Sequence, residues 1–326
     1  MTLEIGVDET FAESVADRLR SIEDRLGDAA FGRTPFVTEA ASHIINAGGK
    51  RFRPLLVVLA SRLYPGADDD AAERAALVVE LTHVASLYHD DVMDEADLRR
   101  GAESANHRWS NSVAIMVGDF LFAKASSIVA TLGVDYVALQ ADTFARLVEG
   151  QISETRGAQG DDDPVAHYLR VLADKTGSLI ATSAVFGGMV CGAPPEVLRA
   201  LAAFGEELGV VFQLSDDIID IDSDSTGKTP GTDLREGVPT LPTMLVKAGR
   251  EPADDRLRHL LAGTIDDPDD LAEALALMRA HPAMAAARAE VERRAQVAKQ
   301  HLAVLPEGHA RDALHELCDQ IVARSA

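Results

Sequence analysis

Apolar residues recur at mixed three- and four-residue spacing along almost the whole chain, and this pattern limits the fold to packed helices. The spacing predicts helices over Leu55 to Leu63, Ala71 to Tyr88, Val113 to Leu132, Tyr136 to Ile152 and Ala166 to Cys191. The alternating runs that a sheet would need are missing. Breakers separate the segments at Gly48-Gly49, Pro65-Gly66, Gly101, Gly160 to Pro164, Pro194-Pro195, Pro230-Gly231 and Pro268. None opens a long Ser/Gly-rich linker, so one all-α domain is expected over residues 1–326.

Composition excludes several functions. The chain is 47% hydrophobic, enough for a real core, and its formal charge is −22. Such an acidic chain is not expected to bind nucleic acid or an anionic membrane through general electrostatics. Cys191 and Cys318 form no CxxC pair and no disulfide framework, which fits a reducing compartment, so a cytoplasmic location is expected. The N-terminal MTLEIGVDETF lacks a basic region followed by an apolar core, so no signal peptide is expected. No uninterrupted apolar run reaches the roughly 18 residues of a membrane span. Ser178 to Ala193 comes closest, and no stable membrane insertion is expected.

One motif recurs. Asp90, Asp91 and Asp94 form a DDxxD within LTHVASLYHDDVMDEADLRRG, and Asp216, Asp217 and Asp220 form another within VVFQLSDDIIDIDSD. Positions i and i+4 share a helix face, so each motif points two carboxylates the same way with a third beside them. Carboxylate oxygen is the hard ligand that Mg²⁺ prefers. Most acidic clusters are solvated helix starts, and Asp69-Asp70 and Asp269-Asp270 read that way. The two motifs differ, because each follows apolar helix, where carboxylates desolvate and repel one another unless a cation compensates.

Cations gather beside these acids. Gly48-Gly49-Lys50-Arg51-Phe52-Arg53-Pro54 makes a basic turn before a helix, and Arg99-Arg100-Gly101 follows the first motif. Lys175-Thr176 lies in a helix-rich stretch, and Gly227-Lys228-Thr229 follows the second motif. Fixed Arg and Lys around divalent metal suit a diphosphate. Gly227-Lys228-Thr229 is not a P-loop, since the required earlier glycine is Asp222. His315-Glu316 is not a zincin motif, since the second histidine is replaced by Asp319.

Together GGKRFRP, HDDVMDEADLRRG, GDFLFAKA, KTGSL, FQLSDDIID and GKTPGTDLREGVPTLP resemble the trans-isoprenyl diphosphate synthases of the polyprenyl synthetase family, from about Gly48 to Pro242. The resemblance implies the isoprenoid synthase fold, a single-domain helical bundle around a deep central cavity, in a homodimer. Within it, an N-terminal helical arm would span about residues 1–40, the catalytic core about 41–245 and C-terminal helices about 246–326. Asp90, Asp94 and Asp216 would ligate Mg²⁺, with Mn²⁺ as a substitute, and Asp91, Asp217 and Asp220 would ligate or support through water. About three ions per site are implied. Arg99, Lys175 and Lys228 would hold the allylic diphosphate, and Lys50, Arg53, His83 and Arg100 isopentenyl diphosphate. His83 stands two helical turns before Asp90 on the same face. Thr176 and Gln213 would lie near the developing cation. Many relatives have Lys where this chain has Val238.

The implied reaction ionises an allylic diphosphate, lets the double bond of isopentenyl diphosphate attack the cation, and loses a proton, adding one five-carbon trans unit per cycle. Ala85 and Ser86, five and four residues before Asp90, are small where aromatics would floor the cavity of a short-chain enzyme. GDFLFAKA also resembles the long-chain branch that makes hepta-, octa- and nonaprenyl diphosphates. The expected product is therefore a long-chain all-trans polyprenyl diphosphate of the kind used in quinone side chains. Alternatives at this point are a short-chain farnesyl or geranylgeranyl diphosphate synthase, a class I terpene cyclase, and an inactive subunit of a heteromeric prenyl synthase.

Overall fold

A computed structural model describes residues 8–222 and 230–325. The helices in chain order are α1 (Glu9–Ala29), α2 (Pro35–Asn46), α3 (Phe52–Ser61), α4 (Asp69–Met93), α5 (Ala105–Arg108), α6 (Asn111–Val129), α7 (Val134–Arg156) and α8 (Pro164–Leu172). They continue as α9 (Ser178–Val190), α10 (Pro195–Asp222), α11 (Thr232–Glu236), α12 (Leu241–Ala248), α13 (Asp255–Leu260), α14 (Pro268–Ala280), α15 (Pro282–His301) and α16 (His309–Arg324). Two short strands, β1 (Leu98–Arg99) and β2 (Ala102–Glu103), are the sheet structure found among the described residues.

The chain forms two compact units. One draws on Met1–Ala145, Leu179–Ala202 and Val304–Leu314, the other on Arg146–Ser178, Ala203–Ala303 and His315–Ala326. In the first, α4 packs most extensively on α6, then on α3 and α1. It is apolar on nearly every side from Ala72 to Tyr88, so it reads as a core helix rather than a surface one. Tyr88 fixes its far end: the fully buried phenol donates to the Ala40 carbonyl at 2.5 Å and accepts the Ile44 amide at 3.3 Å. The first acidic motif begins two residues later.

In the second unit the last turns of α10 are anchored from the C-terminal helices. The Ser215 hydroxyl donates to the Ile321 carbonyl at 3.1 Å, and Arg279 Nε to the Ile221 carbonyl at 2.8 Å. Arg288 pairs with Asp222. Cations at the C-terminal end of α10 complement its macrodipole.

The acidic helix starts behave as the sequence suggests. Asp68 caps α4 through the amides of Asp70 and Ala71, and Asp267 caps α14 through those of Asp269 and Asp270. Two expectations change. Ala166 to Cys191 is not one regular helix, because a π-helical turn at Ala173–Gly177 separates α8 from α9. Among the described residues, the helix nearest a membrane span in length and apolarity is α6, not Ser178 to Ala193. Counting uninterrupted apolar residues misses α6, because Asp119 and Lys124 break its run while its average stays apolar.

Candidate active site

Each unit carries one acidic motif. The first sits where α4 ends: Asp94 is the C-cap, and its amide donates to the Asp90 carbonyl at 2.8 Å. Negative charge at a helix C-terminus is disfavoured, so the position invites a cation. Asp91 is fully buried; its Oδ1 accepts Arg99 Nε at 2.5 Å, with Nη2 also in contact. Its Oδ2 is buried with no partner. Burial pushes the Asp91 carboxyl up, against the pull of Arg99. Asp90 is part-buried and Asp94 exposed.

Arg99 ends β1, and the two-residue turn Arg100-Gly101 returns the chain to β2, with Arg99 paired to Ala102. Both turn residues have positive φ, 54° and 78°. That is the hairpin turn that matches strand twist, and glycine at its second position removes the steric penalty. The turn leaves Arg100 donating through Nη1 to the Ile44 carbonyl at 3.2 Å and to the Gly48 carbonyl, which ties it to the basic turn before α3. Arg51 in that turn has φ 47° and is the N-cap of α3 without a side-chain cap bond. Lys50 is exposed, whereas Arg53 is part-buried and its Nε is buried without a partner. Burial brings the Arg53 guanidinium down to about 10. His83, part-buried on α4, is held well below the ordinary imidazole value by burial and by Arg53, Arg100, Arg99 and Arg51. It is therefore neutral and can accept or donate a hydrogen bond without adding charge. Ala85 is fully buried, while Ser86 keeps accessible surface and turns its hydroxyl back to the His83 carbonyl at 2.8 Å.

The second motif lies in the last turns of α10. Asp217 is 5% exposed and accepts the Tyr168 hydroxyl on one oxygen and Gln213 Nε2 at 3.3 Å on the other. Burial raises its carboxyl to about 7, with Asp233 and Asp216 adding to the rise and Tyr168 and Gln213 opposing it. Asp216 takes Arg324 Nη2 at 2.6 Å. Asp220 accepts the amides of Thr232 and Asp233 at 3.3 and 3.1 Å, so it holds the start of α11. Gln213, expected near the developing cation, spends its amide on Asp217. Lys175 and Thr176 stand on the π-helical turn, a feature that often marks functional sites. The turn packs closely on α10: a Cβ at Gly209 would come within 2.5 Å of the Gly177 Cα. Lys175 pairs with Glu154. Lys228 lies outside the described residues. Val238 is 41% exposed.

The arrangement fits divalent metal. A buried carboxylate oxygen with no partner, and a carboxyl raised by burial with neighbouring acids adding to the rise, are both relieved by a cation. Among the described residues, no three His, Cys, Asp or Glu side chains converge as a closed metal site. The sequence missed Glu80, Glu154, Tyr168 and Arg324. No spacing rule marks them, since each is defined by what it touches in space.

Asp217 gives a pH prediction for metal-free protein. Its folded value lies above that of an unfolded Asp, so the folded state binds the extra proton between about pH 4 and 7. Stability should therefore fall as pH rises through that window. In EDTA, the melting temperature of wild type is expected to drop more between pH 5 and 8 than that of Asp217→Asn. Parallel curves would refute it.

Residues 34–278 match the polyprenyl synthetase family. The chain is 46% identical over 319 residues to nonaprenyl diphosphate synthase of Mycobacterium tuberculosis, covering 97% of this chain and 95% of that one. It superposes on geranylgeranyl pyrophosphate synthase of Corynebacterium glutamicum, complexed with calcium and isoprenyl diphosphate, with a TM-score of 0.88, 42% identity and 98% coverage of both chains. A decaprenyl diphosphate synthase of Rhodobacter capsulatus gives a TM-score of 0.87 at 33% identity, covering 98% of this chain and 99% of that one. With its all-α isoprenoid synthase fold, the chain belongs to the polyprenyl synthetase family and is a trans-prenyltransferase.

Proposed function

We propose that this prenyltransferase condenses isopentenyl diphosphate repeatedly with an allylic diphosphate primer to make a long-chain all-trans polyprenyl diphosphate, with Mg²⁺ as its metal and Mn²⁺ as a substitute. The observation that carries this reading is a pair of buried, partnerless polar atoms in one unit, Asp91 Oδ2 and Arg53 Nε, each waiting for a charge of opposite sign. Calcium and isoprenyl diphosphate in the Corynebacterium enzyme support a divalent ion and this substrate class. The nonaprenyl and decaprenyl relatives support the long product. The geranylgeranyl relative keeps the short-chain alternative in view.

In this reading Asp90, Asp94 and Asp216 hold the metal, and Asp91, Asp217 and Asp220 support them. When bound, the ions neutralise charge on the leaving diphosphate. Arg99, Lys175 and Lys228 orient the allylic diphosphate and supply fixed positive charge as its carbon–oxygen bond breaks. Lys50, Arg53, His83 and Arg100 orient isopentenyl diphosphate. Thr176 and Gln213 offer dipoles rather than nucleophiles to the allylic cation, and apolar helix faces keep water away. Arg324 engages Oδ1 of Asp216, and the second oxygen of that carboxylate is the one offered to the metal. Both units belong to one catalytic domain, supported by a family match that runs through residues of each.

The proposed assembly is a homodimer. Its support is the exposed apolar side chains of Ile115 and Met116 on α6 and Val134 and Val137 on α7. A cytoplasmic location is supported by two free cysteines, Cys191 and Cys318. Asp119, 67% exposed on α6, argues against stable insertion of that helix in a membrane.

The test is incubation of the purified protein with labelled isopentenyl diphosphate, Mg²⁺ and each allylic primer in turn, followed by sizing of the products. Chains well beyond the geranylgeranyl stage are expected. Products that stop at farnesyl or geranylgeranyl would replace the long-chain reading with the short-chain one, and cyclic hydrocarbons would overturn both.

A further inference from the structure

Glu80 is a buried carboxylate to which the reaction assigns no role. It stands on α4, three residues before His83, and is 2% exposed. Arg51 donates Nη1 to Glu80 Oε1 at 3.0 Å. The rest of the same guanidinium reaches Glu23, with Nε on Oε2 and Nη2 on Oε1, both at 2.6 Å, and Nη2 also reaches the Ile45 carbonyl at 3.0 Å. Arg51 is thus fully engaged and acts as a strut. Arg53 and Arg100 lie in the field of Glu80, which favours their charged forms while burial and their mutual repulsion oppose them.

The crowding is close. A Cβ at Gly49 would lie 2.8 Å from Arg51 Nη1 and 2.9 Å from Arg100 Nη1, so two guanidiniums press on one stretch of backbone. His83 stays neutral among them and relieves nothing. With no anion present, Arg51, Arg53 and Arg100 would repel one another, and Glu80 and Glu23 are the carboxylates placed to offset them. Arg53 Nε keeps an unused, buried donor. The cluster is therefore held together yet still short of negative charge.

We propose that Glu80, with Glu23 at the rim, is a standing counter-charge that keeps Arg51, Arg53 and Arg100 in formation while the isopentenyl diphosphate site is empty. This rests on the reading that Arg53 and Arg100 hold that substrate. The same charge opposes the incoming diphosphate, so the site exchanges affinity for pre-organisation. A site that must refill at every cycle of chain growth needs that order more than it needs tight binding.

The test uses the full-length protein in EDTA, where no turnover occurs, with melting temperatures measured with and without isopentenyl diphosphate. Glu80→Gln keeps the shape and the acceptor for Arg51 but removes the charge. Without ligand it should melt below wild type. Isopentenyl diphosphate should then raise its melting temperature by roughly 2 °C more than it raises wild type, which corresponds to about tenfold tighter binding. Glu23→Gln, at a half-exposed carboxylate, should show a smaller extra rise and carries the test if Glu80→Gln does not fold. An Arg53→Gln control should lose the ligand-induced rise. Equal rises in wild type and both Glu variants, with the rise lost in Arg53→Gln, would overturn the counter-charge and leave the substrate assignment standing. No rise in wild type would overturn both.

Discussion

Asp90→Ala is expected to lower turnover by roughly 10³-fold or more while the protein stays folded. Asp90 lies in the last turn of α4, part-buried, where the helix dipole already disfavours its charge. Losing the carboxylate therefore removes little folding energy and much of the charge that would fix a metal. The companion variant is Asp69→Ala at the other end of the same helix. Asp69 pairs with Arg18 and Arg62 from a half-exposed position, so its loss should change stability by under about 1 kcal/mol and leave turnover intact. Steady-state rates with labelled isopentenyl diphosphate, alongside thermal melts of both variants, check the pair. Full activity in Asp90→Ala would remove the proposed mechanism. Equal losses in both would mean that general acidity near α4 matters rather than the motif.

Ser86→Phe is expected to shorten the product by several isoprene units. Ser86 is about 6 Å back along α4 from Asp90 at 1.5 Å per residue, and it keeps accessible surface. An aromatic ring there would stand in the path of a chain growing alongside the helix. Ala85 is equally small, but it is fully buried, so Ala85→Phe should chiefly overpack the core at a cost of about 1–3 kcal/mol. Mass spectrometry of the products separates the two effects. A shift in product length with little change in melting temperature is expected for Ser86→Phe, and the reverse for Ala85→Phe. Unchanged products in Ser86→Phe would reject this floor assignment.

Much of this protein is legible from local sequence, because the interactions concerned span only a few residues. The three- and four-residue spacing gives the helices, and Asp69-Asp70 and Asp269-Asp270 mark helix starts, which the structure caps with the preceding Asp68 and Asp267. The DDxxD spacing likewise sets carboxylates on one helix face before any tertiary contact forms. The π-helical turn at Ala173–Gly177 was not legible, since it answers to packing against Gly209, 32 residues past Gly177.

The partners of the acids were decided only by tertiary structure. Arg99 reaches Asp91 from eight residues away on the first strand of a hairpin, Tyr168 reaches Asp217 across 49 residues and Arg324 reaches Asp216 across 108. Glu80 looks like one more polar residue in an apolar helix until Arg51, itself held by Glu23, closes on it. Spacing fixes which way a side chain points, but burial and neighbouring charge fix whether it is ionised, paired or left waiting, and both depend on segments far along the chain.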